Sequence, residues 1–387
     1  MKKRMSWKPL AIIAGIGVLF FLRGCIADSR DRIELAGRGL TNAANEGSGD
    51  EPAGSEFPGG WTSLAAGSYH GAAIGADGSL WTWGANEFGP LGDGTRVSRD
   101  TPFRMGGDSD WAFVAAGDLS TFAIRKDGSL WAWGRNWHWQ LGCGSLFPDS
   151  RLSPARVGRA TDWVSVAAGT HHTVAIRTDG SLWSWGSNRY GQLGTGTAAD
   201  RNFPGRVGAS YDWAFVDAGN RQTVAIKTDG SLWAWGLNHR GQIGDGTTID
   251  RRRPTRIGTD YDWAFVSMDS HTVAIRTDGS LWAWGNNMGG QLGDGTEIDR
   301  HAPIRVGTDH DWAMASAGGG QTAAIRTDGS LWTWGNNRNG RLGDDTVGNR
   351  HIPARIGDSY DWELVAASLS LTAAIRATGD VYIWGEF

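Results

Sequence analysis

The side chains in this chain that could act outside a packed interior are mostly aromatic and basic. Asn136-Trp137-His138-Trp139-Gln140 sets two tryptophans about a histidine, and Phe147, Arg189 with Tyr190, and His239 with Arg240 lie in comparable stretches. The chemistry of such a set is non-covalent: a flat apolar ring beside a fork of donors is what anchors protein–protein contacts. An exposed tryptophan also stacks on sugar rings, so a carbohydrate-binding or carbohydrate-active surface is the alternative. Trp137 and Trp139 could instead pack inward on neighbouring structure. His70, His172 and His271 could share a metal only by converging on one axis, and a structural hydrogen bond suits them better. Asp93, Asp245 and Asp294 each sit alone in a Gly-rich loop, too few oxygens for calcium, and read as acceptors for their own loop backbones. The sequence has no G-x-S-x-G, no His-Glu-x-x-His and no phosphate-cradling loop with a lysine. The reading is binding without a cofactor or metal, directed at an unidentified protein partner.

The elements that position these residues are set by a repeat. Trp61, Trp111, Trp163, Trp213, Trp263, Trp312 and Trp362 recur at intervals of 49 to 52 residues. Each opens a unit containing a W-x-W-G pair, as in Trp183-Ser184-Trp185-Gly186. Two strand-like runs flank an Asp-Gly pair in each of the first six units, for example Asp229-Gly230, and Asp-Gly tolerates the positive φ of a tight hairpin turn. A strand before the hairpin and a Pro-initiated strand after it make four. Small sheets of this kind bury their faces only by stacking on neighbours, and a ring hides every face. The fold class is therefore all-β, a seven-bladed β-propeller with four-stranded blades over residues 61–387. The Pro-initiated part occurs six times, so the chain just before Trp61, around Glu56 to Gly60, is the expected donor of the seventh outer strand. Two loop sets vary between units and are expected at the surface: Tyr69, His70, Leu119, Ser120, His171, His172, Arg221, Gln222, His271, Gln321, Leu369 and Leu371 after the first strand, and Phe88, Trp137 to Trp139, Arg189, Tyr190, His239, Arg240, Met288 and Arg338 after W-G-x-N.

Residues 1–25 have a different character. Four positive charges precede the thirteen uncharged residues Leu10 to Leu22, the pattern of a signal peptide or N-terminal membrane anchor. Leu22-Arg23-Gly24-Cys25 resembles the lipobox of bacterial lipoproteins, which makes Cys25 the lipidation candidate, although Arg23 stands where a small residue belongs. Residues 26–60, small and acidic, read as a flexible tether. Without the first 24 residues the chain has 32 basic and 41 acidic side chains, a balance that disfavours nucleic acid.

The repeat also resembles that of the regulator of chromosome condensation family. Its pattern appears as Val166-Ala167-Ala168-Gly169-Thr170-His171-His172-Thr173 followed by Trp183-Ser184-Trp185-Gly186-Ser187-Asn188-Arg189-Tyr190-Gly191-Gln192-Leu193-Gly194. The resemblance covers about 325 of the 387 residues and implies a seven-bladed propeller of four-stranded blades, a scaffold on which some similar bacterial surface or periplasmic proteins bind other proteins. No inserted β-wedge is present, which argues against nucleotide exchange on a GTPase. With the N-terminal segment, the expectation is a bacterial exported member: a monomeric propeller in the cell envelope, membrane-tethered by an N-terminal anchor or lipid and facing outside the cytoplasm, or secreted.

Overall fold

The computed structural model describes residues 60–144 and 149–385, together with the backbone of Glu34–Leu35. Cys25, Phe147 and most of the expected leader and tether lie outside these residues.

The described residues form seven four-stranded sheets. Blade 3 illustrates how sequence becomes sheet, with strands Trp163–Ala168, His172–Arg177, Leu182–Gly186 and Arg201–Arg206. The hairpin between its second and third strands closes because Gly180 adopts φ 75° and the Asp179 carboxylate accepts the Ser181 N–H at 2.9 Å. That turn fixes the register, pairing His172 with Gly186 through to Ile176 with Leu182. The same construction runs through blade 1 (Trp61 to Arg104), blade 2 (Trp111 to Arg156), blade 4 (Trp213 to Ile257), blade 5 (Trp263 to Arg305), blade 6 (Trp312 to Arg355) and blade 7 (Trp362 to Gly385).

The apolar core lies between blades. Val174, Ile176 and Leu182 of blade 3 pack with Val207, Trp213, Val216 and Trp235, the last three from blade 4. Burial of these faces is the main drive for ring formation. A polar latch accompanies the apolar contact at the five seams from blade 1 to blade 6. In blade 3 the Trp185 indole N–H and the Thr173 hydroxyl both donate to the Gln140 carbonyl of blade 2, at 2.7 and 2.8 Å. Gly142 of that loop approaches the same indole so closely that a Cβ would stand 2.6 Å from its nitrogen, and its φ is 68°. Glycine is required there on both counts.

The ring closes between blades 7 and 1, where Trp61, Trp81 and Trp83 pack with Leu371, Ile375, Val381 and Ile383. The Trp61 indole donates to the Gly379 carbonyl at 2.9 Å, and the Ser370 hydroxyl donates to the Ser68 carbonyl. The fourth strand of blade 7 is Glu34–Leu35, parallel to Tyr382–Ile383. The sequence pointed to residues 56–60 for that place; 56–59 lie outside the described residues. Among the described residues no helix is long and apolar enough to cross a membrane.

Candidate functional site

Of the two loop sets expected at the surface, His70, Ser120, His172, Gln222, His271, Gln321 and Leu371 are instead buried, each opening the second strand of its blade, and the remaining members share one face of the ring. The backbone joins them directly: Ala85 N–H donates to the Tyr69 carbonyl, Arg135 N–H to Leu119, Ser187 N–H to His171 and Leu237 N–H to Arg221. The opposite face carries the Asp-Gly turns. A channel of about 860 Å³ runs between them, lined by the small first strands.

On the loop face, Trp137 is 50% exposed and Trp139 38% exposed, so each keeps a solvent-facing surface. Phe88 of blade 1 meets Trp137 edge-on, with ring centroids 5.2 Å apart, and the Arg135 guanidinium lies 5.0 Å from the Trp137 ring. Arg135 is itself held by an ion pair with Asp118. Trp139 takes a left-handed φ of 59°. His138 stacks edge-on with His171 of blade 3 at 4.3 Å. Burial, with the neighbouring His138 charge second, pushes the His171 pKa down to about 4, and burial lowers that of His138 as well, so the pair is neutral near pH 7.

Blades 3 and 4 extend the patch. Arg189 is exposed and lies 5.7 Å from the Tyr190 ring, while Arg221 donates to the Tyr190 hydroxyl at 3.2 Å. Further round, His239 is exposed, and Arg240 is drawn outward into an ion pair with Asp299 at 3.0 Å. The structure thus brings Trp137, His138, Trp139, Arg189 and Tyr190 onto one surface, with His239 and Arg240 at its border. Arg135 and its Asp118 partner were missed as site residues, because Arg135 occupies the variable x of W-G-x-N and only the Trp137 ring above it reveals the role.

His70, His172 and His271 do not converge on a metal. Each donates or accepts through Nε2 to a threonine hydroxyl of the next blade, Thr121, Thr223 and Thr322, at 2.7 to 2.9 Å. All three are fully buried, and burial drives their pKa values down to about 4, 3 and 3. Among the described residues no three His, Cys, Asp or Glu side chains are placed to hold a metal ion.

Two carboxyls approach the axis. Asp217 accepts the N–H groups of Ala218 and Met268 at 2.9 and 2.8 Å, so both its oxygens are tied to backbone. Burial, then the charges of Asp217 and Asp118, raise the Asp269 pKa to about 7, and Asp269 also accepts from the Asn220 backbone. A pair bound in this way is built into the channel wall and is not set for acid–base cleavage of a sugar bond.

A closed ring of seven four-stranded sheets is a β-propeller by class. The RCC1-like domain matches residues 54–269, and the regulator of chromosome condensation (RCC1) repeat matches 278–325 and 328–375. The chain belongs to this family. It is 32% identical over 140 residues to the ultraviolet-B receptor UVR8 of Arabidopsis thaliana, covering 36% of this chain and 32% of the receptor. The aligned stretch therefore spans about a third of that relative. Prp20p from Saccharomyces cerevisiae, described with its binding properties to Gsp1p and histones, superposes with a TM-score of 0.73 at 21% identity, covering 81% of this chain and 82% of that one. Yeast RCC1 (Prp20) bound to Kap60 superposes with a TM-score of 0.71 at 20% identity, covering 84% and 80%. At these identities the two structures attest the fold.

These findings correct the compartment and the alternative ligand. These relatives come from a plant and a yeast, others from human and Caenorhabditis elegans, and the partners named with the yeast structures are proteins. The expectation of a bacterial, exported, lipid- or membrane-tethered member in the cell envelope is overturned, and the carbohydrate reading goes with it. The physical reason is plain: a basic stretch followed by thirteen apolar residues satisfies the composition of a leader, but composition carries no contact that ties it to a membrane. The family is one of regulatory and binding propellers, and the described residues hold no catalytic constellation.

Proposed function

We propose that this chain is a non-enzymatic docking propeller whose loop face over blades 1 to 4 receives a partner protein. The observation that carries this reading is Trp137: an exposed indole at a position where the repeat has no tryptophan, held edge-on by Phe88 and seated on the buried Arg135. A large side chain fixed by its neighbours before binding loses little conformational entropy when a partner covers it. Trp139, Tyr190 and the two arginines Arg189 and Arg221 widen the contact to a patch of aromatic and basic character, the composition of interface hot spots. The protein partners named for Prp20p agree in kind with this reading.

The test is affinity capture from a cell extract with the full chain, a Trp137→Ala/Trp139→Ala variant and a turn-face control, Lys126→Ala. Proteins retained by wild type and control but lost by the tryptophan variant support the reading. Equal retention by all three refutes it.

A further inference from the structure

Four blades carry the same buried clamp at the outer edge of the loop face. In blade 4 the Asp245 carboxylate accepts through Oδ1 from Thr247 N–H at 3.0 Å, the Thr247 hydroxyl at 2.7 Å and the Asn238 amide at 3.2 Å. Its other oxygen, Oδ2, takes the Arg251 Nε–H at 2.6 Å. Asp93 with Arg99, Asp294 with Arg300 and Asp344 with Arg350 repeat the arrangement in blades 1, 5 and 6.

Blade 3 keeps every donor of this clamp and has lost the carboxylate. Thr195 stands at the aspartate position. Its hydroxyl reproduces only the Oδ1 contacts, lying 3.1 Å from the Asn188 amide and 3.0 Å from the Thr197 hydroxyl. Nothing replaces Oδ2. Arg201, the counterpart of Arg251, has no ion pair among the described residues; it folds back over Gly205 and makes one 3.3 Å bond to the Arg206 carbonyl. Partial burial lowers its pKa, as expected of a guanidinium drawn partly from water with no carboxylate beside it. The exposed Arg252 and Arg253 of blade 4 border the same loop: Gly191 lies against Arg252, and Gly196 against the Arg253 guanidinium. Asp200, the nearest acidic neighbour in sequence, already accepts the Asn188 N–H at 2.6 Å.

We infer that this vacated clamp is an anion site for an acidic side chain, Asp or Glu, of the docked partner, which supplies from outside the oxygen that Asp245 supplies in blade 4. The inference rests on the docking reading above and gives the partner its chemistry: an acidic segment laid across blades 3 and 4, its aromatic or apolar portion toward Trp137 and Trp139 and its carboxylate on Arg201, Arg252 and Arg253. A planar guanidinium fork suits a carboxylate in two-point contact. The chain as a whole is acidic, with a formal net charge of −4, so an acidic ligand that binds must do so through a local cluster and not through overall attraction.

The probe is fluorescein-labelled octaglutamate, followed by anisotropy at low salt against full-length protein, with octalysine as the control. Thr195→Asp is the decisive variant, because it restores the pattern of four other blades and so preserves the fold while filling the place. It should weaken octaglutamate at least fivefold, as should Arg252→Gln/Arg253→Gln, and should raise the thermal midpoint by about 1–2 °C as Arg201 gains its partner. Octaglutamate that fails to bind wild type, or that binds Thr195→Asp as tightly, overturns the inference. The two readings fail separately: an octaglutamate titration indifferent to Thr195→Asp removes the anion site even when captured proteins still depend on the tryptophans. Capture indifferent to the tryptophans removes the docking face and leaves the octaglutamate titration to stand.

Discussion

The two faces of the ring are made from the same repeat and use it in opposite ways. On the turn face, blade after blade carries one assembly: a cation from the second strand stands over two aromatic rings and pairs with an aspartate. Arg276 lies 4.6 and 4.2 Å from the Trp263 and Trp282 rings and pairs with Asp260 at 2.6 Å, and Arg326 does the same with Trp312, Trp332 and Asp309. Arg125, Arg177 and Lys227 repeat it. On the loop face the position after W-G-x-N holds Glu87, Trp137, Arg189, His239, Met288 and Arg338, with arginine alone occurring twice. Uniformity marks residues that hold the ring, and variation marks residues free to meet something else.

The sharpest way to break that contrast is to remove aromatic mass from each face. Trp263→Ala on the turn face deletes a buried indole packed on Trp282 and Trp284, and should cost about 3–5 kcal/mol in urea denaturation. A loss below about 1 kcal/mol would contradict the structural role assigned to that face.

Acid should report the next largest effect. His70, His172 and His271 have folded pKa values of about 3 to 4, against 6.5 for the free side chain. The folded state therefore binds fewer protons than the unfolded one between those values, and stability falls as pH drops from about 6.5 toward 3. Each histidine contributes about 1.4 kcal/mol to that fall for every tenfold by which folding weakens its hold on a proton. Blades 4 and 6 use Gln222 and Gln321 at the same position, so a triple His→Gln variant should fold and show a flatter decline in melting temperature over that window. An unchanged decline would assign the acid sensitivity elsewhere. Asp269 has the opposite sign: with a folded pKa of about 7, it favours stability at low pH and loses that contribution as pH rises from about 4 to 7.

Arg276→Ala should cost about 1–2 kcal/mol, the combined value of its ring contacts and half-exposed ion pairs, without altering captured partners. The smallest stability effect belongs to the loop face: Trp137→Ala and Trp139→Ala should each shift unfolding by less than about 0.5 kcal/mol. A larger shift would mean that these side chains help hold the propeller closed.

Much of the fold was legible because its signals are local. Asp179-Gly180 announces a hairpin without knowledge of anything distant, and the spacing from Trp61 to Trp362 announces how many sheets there are. The single face made by Tyr69, His171 and Arg221 with Phe88, Trp137 and Tyr190 was not legible. Some fifteen or more residues separate the two sets in sequence, and only the hairpin register brings them together. Thr195 was hidden for a different reason: a threonine among turn residues looks ordinary until the other blades show what its position normally holds. The compartment was misread because leader-like composition leaves no mark on the propeller.

The latch between blades ends on a peptide oxygen. Pro90, Gln140, Gln192, Gln242 and Gln291 offer that oxygen to Trp133, Trp185, Trp235, Trp284 and Trp334 alike, at 2.7 to 3.0 Å. A main-chain acceptor is indifferent to the side chain it belongs to, so proline serves as well as glutamine. Mutation can rewrite the loops around these points and change what the protein recognises while the fastening between neighbours stays shut.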